Sequence, residues 1–306
     1  MNQKPSIFLS GGSGLLAVNW FHSVKSKFSI YLGLNERIIT PHGCNTIKIN
    51  INSEEEIFNQ LREISPSAII HTAGLTSVEK CEINPDLAHF INVQLSINMA
   101  NAARLLDIPF VHISTDHLFD GTSSMLSEDV PTNPINVYGK TKALAEKAIL
   151  EINPDSLIIR TNFYGWGPSY RESFSDQIIR TLRNQQSIDL FDDVNYTPIL
   201  VDNLINIVHE LIEIKAMGIY HIVSDDRISK YDFGIILAEE FGLDNSLIKK
   251  SSFNSKTYLV RRPADMSLSN QKVSQLLGRK LGTVKQHVAQ LRLQEFEAKT
   301  QEIKLL

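Results

Sequence analysis

The chain is expected to fold as an α/β protein, a doubly wound parallel sheet carrying a smaller, mixed, α-rich C-terminal lobe. Three observations predict this. Short β-like runs alternate with helical patterns through the first half, the apolar runs Ala68–Thr72 and Phe110–Ser114 suit strands buried on both faces, and Gly11-Gly12-Ser13-Gly14 directly follows the first run.

In order, the β-like run Ser6–Ser10 leads into a helix over Leu15–Lys25, then a strand over Ser29–Leu34. A third strand is read over Ile47–Ile51, before a helix over Glu54–Ile64. Ala68–Thr72 follows, then a long helix from about Asp86 to Leu106, the strand Phe110–Ser114 and a helix carrying Tyr138–Leu150. Ser156–Thr161 adds another central strand, for six or seven parallel strands in all. Beyond Thr161 the rhythm breaks into the loop Asn162–Pro168 and a helix near Ser173–Asn184. Helical patterns return at Asp202–Lys215 and Lys230–Phe241 around the strand-like Ile219–Val223. The tail from Val284 to Leu306 reads as an amphipathic helix packed on its own lobe. The expected division is a sheet domain of 1–161 with parts of 195–225, and a lobe of 162–194 with 226–306.

With 306 residues, 42% hydrophobic and 21% charged, the chain can bury a large core. Its 30 basic and 34 acidic residues are not blocked by sign, so neither a nucleic-acid nor an anionic-membrane surface is indicated. Cys44 and Cys81 are the only cysteines, and no Cys/His spacing suggests a metal site or a disulfide framework. No apolar run is long enough for a signal or membrane segment, and a cytoplasmic location is expected.

The glycine-rich turn lies where a dinucleotide fingerprint belongs. Gly11 permits the tight turn, Gly14 lets backbone approach a pyrophosphate at the helix N-terminus, and Ala17 is small enough for the helix-packing position. After the second strand, Arg37 suits a ribose 2′-phosphate and Glu36 a free 2′-hydroxyl, which leaves NADP and NAD both open, with NADP preferred. His71-Thr72-Ala73-Gly74 ends the fourth strand at the sheet's carboxyl edge, where small residues let a cofactor pass close. Thr115 in Ser114-Thr115-Asp116 has a hydroxyl able to polarise a carbonyl; a strand-end turn capped by Asp116 is the plainer reading. Tyr138 and Lys142 are four apart on one helix face, so the ammonium can lie near the phenol and lower it from its ordinary value of about 10.

Together these segments resemble the extended short-chain dehydrogenase/reductases, within them the dTDP-4-dehydrorhamnose reductase group. The resemblance rests on Gly11–Ala17, Ala73–Glu82, Ser114–Gly121, Pro131–Pro134 and Tyr138–Lys142 in the first part, and on Arg160–Gly165, Thr197–Asp202 and Arg261–Pro263 in the second. It implies a Rossmann-type fold and a catalytic triad of Thr115, Tyr138 and Lys142, with Tyr138 as proton donor and Lys142 also binding the nicotinamide ribose. It further implies cofactor contacts from Gly11, Ser13, Gly14, Leu15, Asn35, Arg37, Asn50, Ile51, Ala73, Gly74, Thr76, Asn92, Asn162 and Phe163. Asn92 looks like the family's helix asparagine bracing the active-site strand. Substrate contacts are implied for Thr76, Thr115, Asp116, His117, Asn136, Tyr138 and Asn162, with Arg262 reaching the nucleotide diphosphate.

Three departures stand out: His117 where the family has tyrosine, Asn50 where it has aspartate, and Asn162 where a serine-tryptophan start is usual. They point to a neighbouring branch acting on another sugar. The resemblance implies NAD(P)H-dependent reduction of the C4 ketone of a nucleotide-linked 4-keto-6-deoxy sugar in surface polysaccharide synthesis. It leaves open an epimerase or dehydratase of the same family, a non-catalytic cofactor-binding relative such as the regulatory subunit of methionine adenosyltransferase, and a homodimer.

Overall fold

The computed structural model describes residues 4–255 and 260–306, so residues 1–3 and 256–259 of the expected division lie outside the described residues. Seven parallel strands form the central sheet: β1 (Ser6–Ser10), β2 (Ser29–Leu34), β3 (Asn45–Lys48), β4 (Ala68–His71), β5 (Phe110–Ile113), β6 (Leu157–Arg160) and β7 (Gly218–His221), in the order β7-β6-β5-β4-β1-β2-β3. The order reverses between β1 and β4. At such a point the connections leave on opposite faces and open a crevice at the strands' carboxyl ends.

Alternation along the strands builds two cores. Ile7, Leu9, Ile70, Val111 and Ile159 face the helices Leu15–Val24 and Val201–Glu213, whereas Phe8, Ile69, Phe110 and Ile158 face Glu54–Ile64, Leu95–Leu105 and Val137–Ile152. Helices on both faces explain why these strands are apolar throughout. A separate core gathers Tyr164, Trp166, Ile179, Tyr196, Phe233 and Val288 in the second lobe. Three two-stranded pairs frame it: Phe163–Tyr164 with Ile199–Leu200, Asn195–Tyr196 with Ile228–Ser229, and Ile188–Phe191 with Ile248–Ser251.

Several elements depart from expectation. β3 spans Asn45–Lys48 rather than Ile47–Ile51, because the chain turns at Asn50, whose side-chain oxygen accepts from the Asn52 amide. The helix expected from Asp86 to Leu106 is broken into Pro85–His89, a π-helical turn over Phe90–Gln94, and Leu95–Leu105, and a further helix, Val78–Ile83, precedes it. Asn84 caps the segment opened by Pro85, accepting from the Leu87 amide at 3.0 Å. The strand read at Ile219–Val223 is β7, Gly218–His221, at one edge of the sheet.

The tail forms two helices. Val284–Gln294 buries Val284, Val288 and Leu291 in the second lobe, while Ala298–Lys304 returns to the sheet domain and seats Ile303 in the core beneath Leu15–Val24. Lys25 pairs with Glu302 there, and Lys299 with Asp202. Among the described residues no helix is long and apolar enough to cross a membrane.

Candidate active site

A cleft of about 430 Å³ opens at the carboxyl ends of β1, β4, β5 and β6. At one end lies the glycine-rich turn. Gly11 has φ +65°, and a Cβ there would stand 2.7 Å from the Ala73 Cα, so only glycine fits both backbone and space. Gly11, Ser13, Gly14, Leu15, Ala73, Gly74 and Thr76 line this end. A rim of backbone at the start of Leu15–Val24 is a fitting cradle for the diphosphate of a dinucleotide.

Thr115, Asp116, His117, Tyr138, Lys142, Asn162 and Phe163 line the other end. Tyr138 sits in the first turn of Val137–Ile152, which begins at Asn136 because that side chain accepts from the Gly139 amide at 2.8 Å. Burial pushes the Tyr138 phenol up; a hydrogen bond with the Thr115 side chain opposes this, and the Asp116 and Cys81 charges add to the rise. Lys142 is absent from the groups that move it. Its ammonium instead donates to the Ile113 carbonyl at 2.8 Å and contacts His112 Nε2 at 2.9 Å. The expected lowering of the phenol by Lys142 is therefore not what the structure has: Lys142 is held on β5, and burial dominates. That burial lowers the lysine to about 8, with the Glu146 carboxylate pulling the other way.

A polar row beneath the cleft explains the position of Lys142. Ser10, His71 and His112 are in register across β1, β4 and β5. His71 Nδ1 bonds Ser10 Oγ at 2.7 Å, its Nε2 bonds Ser96 Oγ at 3.0 Å, and its ring stacks on His112 with centroids 5.4 Å apart. Burial, with a smaller push from Lys142, holds His71 down to about 3, so both rings are neutral. Beside this row, Glu146 takes the Ser114 hydroxyl and the buried Arg160 guanidinium, 2.8 Å away.

Around the phenol, Asn162 donates to Asp116 Oδ2 at 2.7 Å and Thr115 donates to Oδ1 at 3.2 Å. The His117 ring meets Tyr138 edge-on at 5.5 Å, and burial lowers its pKa.

Seven expected residues stand off the cleft wall. Asn50 is exposed and donates to Glu56 at 2.9 Å while accepting from Asn52, so both ends of its amide are taken by the turn. Ile51 packs against the core beneath Glu54–Ile64. Asn35 and Arg37 are exposed past β2. Asn92 is fully buried in the π-turn, where it accepts from the Leu75 amide at 2.7 Å and donates to Thr141 at 3.0 Å. It braces the segment after β4. Asn136 is spent on its cap and on the Arg261 carbonyl, 3.1 Å away. Arg262 pairs with Glu79 at 2.5 Å, tying the second lobe to Val78–Ile83.

Two cations went unread in the sequence. Arg171 lines the cleft and donates to Thr76 Oγ1 at 3.2 Å. Lys230 rests 3.9 Å from the Tyr196 ring centroid and 4.8 Å from that of Phe174; burial lowers it to about 8, with Asp116 opposing. The aromatic residues Trp166 and Tyr170 in the loop before Arg171 were a signal for it in the sequence.

The model of the family described as RmlD substrate binding domain matches residues 5–297. The probable low-salt glycan biosynthesis reductase Agl14 of Haloferax volcanii is 29% identical over 288 residues, which cover 93% of this chain and 96% of that protein. A dTDP-4-dehydrorhamnose reductase of Aggregatibacter actinomycetemcomitans is 30% identical over 244 residues, 76% of this chain and 82% of the relative. Among solved structures, a dTDP-4-dehydrorhamnose reductase of Bacillus anthracis in complex with NADP superposes with a TM-score of 0.84 at 23% identity, covering 95% of this chain and 100% of that one.

Proposed function

Since this chain belongs to the RmlD substrate-binding domain family, we propose that it uses NADPH to reduce the C4 ketone of a nucleotide-linked 4-keto-6-deoxy sugar in glycan synthesis. The observation that carries this reading is the placement of Tyr138 and Thr115 at one end of a cleft whose other end is the glycine-rich turn.

The turn at Gly11–Gly14 would take the cofactor diphosphate on backbone N–H groups, and Ala73 and Gly74 would admit its ribose. When bound, the nicotinamide would supply the hydride. Everything else falls to the protein. Burial keeps the Tyr138 phenol protonated, so it has a proton to give to the C4 oxygen as that oxygen gains negative charge. The Thr115 hydroxyl, which donates to Asp116 Oδ1 here, would turn to the same oxygen to steady it. The phenol's O–H bond breaks as the alcohol's forms, and the phenolate regains its proton from solvent. An ammonium has three donors; β5 engages two of those of Lys142, and the third is left for the ribose hydroxyls. His117, where the family has tyrosine, would shape the sugar pocket, together with Asp116 and Asn162.

The test is oxidation of NADPH and of NADH against dTDP-, GDP-, UDP- and CDP-linked 4-keto-6-deoxy sugars. Stoichiometric oxidation with one member is the expected result. A cofactor that binds but is never consumed by any member would overturn the reductase reading in favour of an epimerase, a dehydratase or a non-catalytic relative.

A further inference from the structure

A strap from the second lobe crosses the glycine-rich turn. Its shape is fixed within the lobe: the Gly167 amide donates to Asp176 Oδ2 at 2.8 Å, and the Arg171 amide to the Pro168 carbonyl at 2.9 Å. The strap thereby presents Tyr170 to the sheet domain. The Tyr170 hydroxyl donates to the Ser13 carbonyl at 2.9 Å, and the face of its ring carries the Arg37 guanidinium, whose Cζ is 4.3 Å from the ring centroid. Among the described residues no carboxylate or carbonyl occupies the N–H fork of Arg37.

We infer that Tyr170 is a positioning residue for cofactor selection, holding the Arg37 guanidinium by its face so that its N–H edge is presented to the 2′-phosphate of NADP. This rests on the NADP reading above and adds to it a residue from the other lobe. The physical case is orientation. A solvent-exposed arginine spends rotamer entropy whenever it is fixed on a ligand. Stacking spends part of that in advance and leaves the in-plane donors free, since a guanidinium stacks through its face and binds phosphate through its edge. Tyr170 is itself fixed at its far end by Ser13, in the turn proposed to take the diphosphate. Ring, guanidinium and turn are thus assembled before the cofactor arrives.

The experiment is equilibrium binding of NADP+ and NAD+ by calorimetry, without sugar, to the full chain and to Arg37→Ala, Tyr170→Ala and Tyr170→Phe. NAD+ lacks the 2′-phosphate, so its affinity reports folding and the rest of the site. Tyr170→Ala is expected to lower the NADP+ to NAD+ affinity ratio about tenfold, any loss through the Ser13 bond falling on both cofactors alike. Tyr170→Phe, which keeps the ring, should retain the NADP+ to NAD+ ratio. If the unmutated chain binds both alike, or Arg37→Ala leaves the ratio intact, the NADP reading itself falls. Should Arg37→Ala erase the preference while Tyr170→Ala keeps it, only the role given to Tyr170 is overturned.

Discussion

The Lys142 ammonium lies 2.9 Å from Nε2 of His112, on the strand beneath it rather than on the phenol one helical turn away. A charged lysine only donates, so His112 must accept at Nε2 and carry its proton on Nδ1. That Nδ1 is buried and has no hydrogen-bond partner. A buried donor left unpaired costs about 1–3 kcal/mol, which the strand tolerates in exchange for a fixed ammonium. His112→Leu should therefore loosen Lys142 and weaken NADPH binding by roughly tenfold or more, the scale of one hydrogen bond to a charged group. His112→Gln keeps an acceptor and should recover most of the loss. Fluorescence titration of NADPH decides it; equal affinities for Leu and unmutated chains would sink the idea.

Tyr138→Phe removes the proton donor and little else, because the ring's packing with His117 survives. Turnover should fall by about 10²–10⁴-fold, the usual contribution of a positioned acid. NADPH affinity should stay within about twofold. Preserved turnover with lost binding would contradict the role given to this phenol.

Glu146 is the counterion of Arg160, and both are almost fully buried. Glu146→Gln leaves that guanidinium without its charge partner in the interior. Removing one member of a buried pair typically costs ~3–5 kcal/mol. Urea unfolding of the variant should show a loss of that order, although the glutamine carbonyl oxygen can still accept the Ser114 hydroxyl.

Acid should destabilise the fold through its histidines. Burial lowers His71 and His221 to about 3 and His22 and His209 to about 4, from an ordinary value of 6.5. As pH falls through 6.5 the unfolded chain takes up protons that the folded chain refuses, so stability drops from there down to about pH 3–4. Above that window the rings are neutral in both states and contribute nothing. The urea midpoint should be lower at pH 5 than at pH 7.5, and identical midpoints would refute the assignment.

The strands were legible because the signal is local: Ser6–Ser10 and Ser29–Leu34 stand where their apolar pattern places them. Tyr138, Thr115 and the glycine turn could be read as well, since each closes or opens an element and reaches the same sheet edge. What failed needs partners distant in the chain. The π-turn at Phe90–Gln94 depends on Asn92 meeting Leu75 and Thr141, and no helical periodicity reports that. Tyr170 and Ser13 are 157 residues apart, and Lys142 turns to His112 because a strand lies beneath it. Spacing along one helix told which groups share a face, not which neighbour wins them.

The return of Ala298–Lys304 to the first helix bears on how the protein comes off the ribosome. The core beneath Leu15–Val24 draws on Ile199 to Ile222, then Val273 and Leu281, and last on Ile303. A nascent chain must therefore keep part of that helix uncovered until Ile303 has emerged. Truncation before Lys299 would remove Ile303, Glu302 and Lys299 together, stripping cover from a helix laid down far earlier in the sequence.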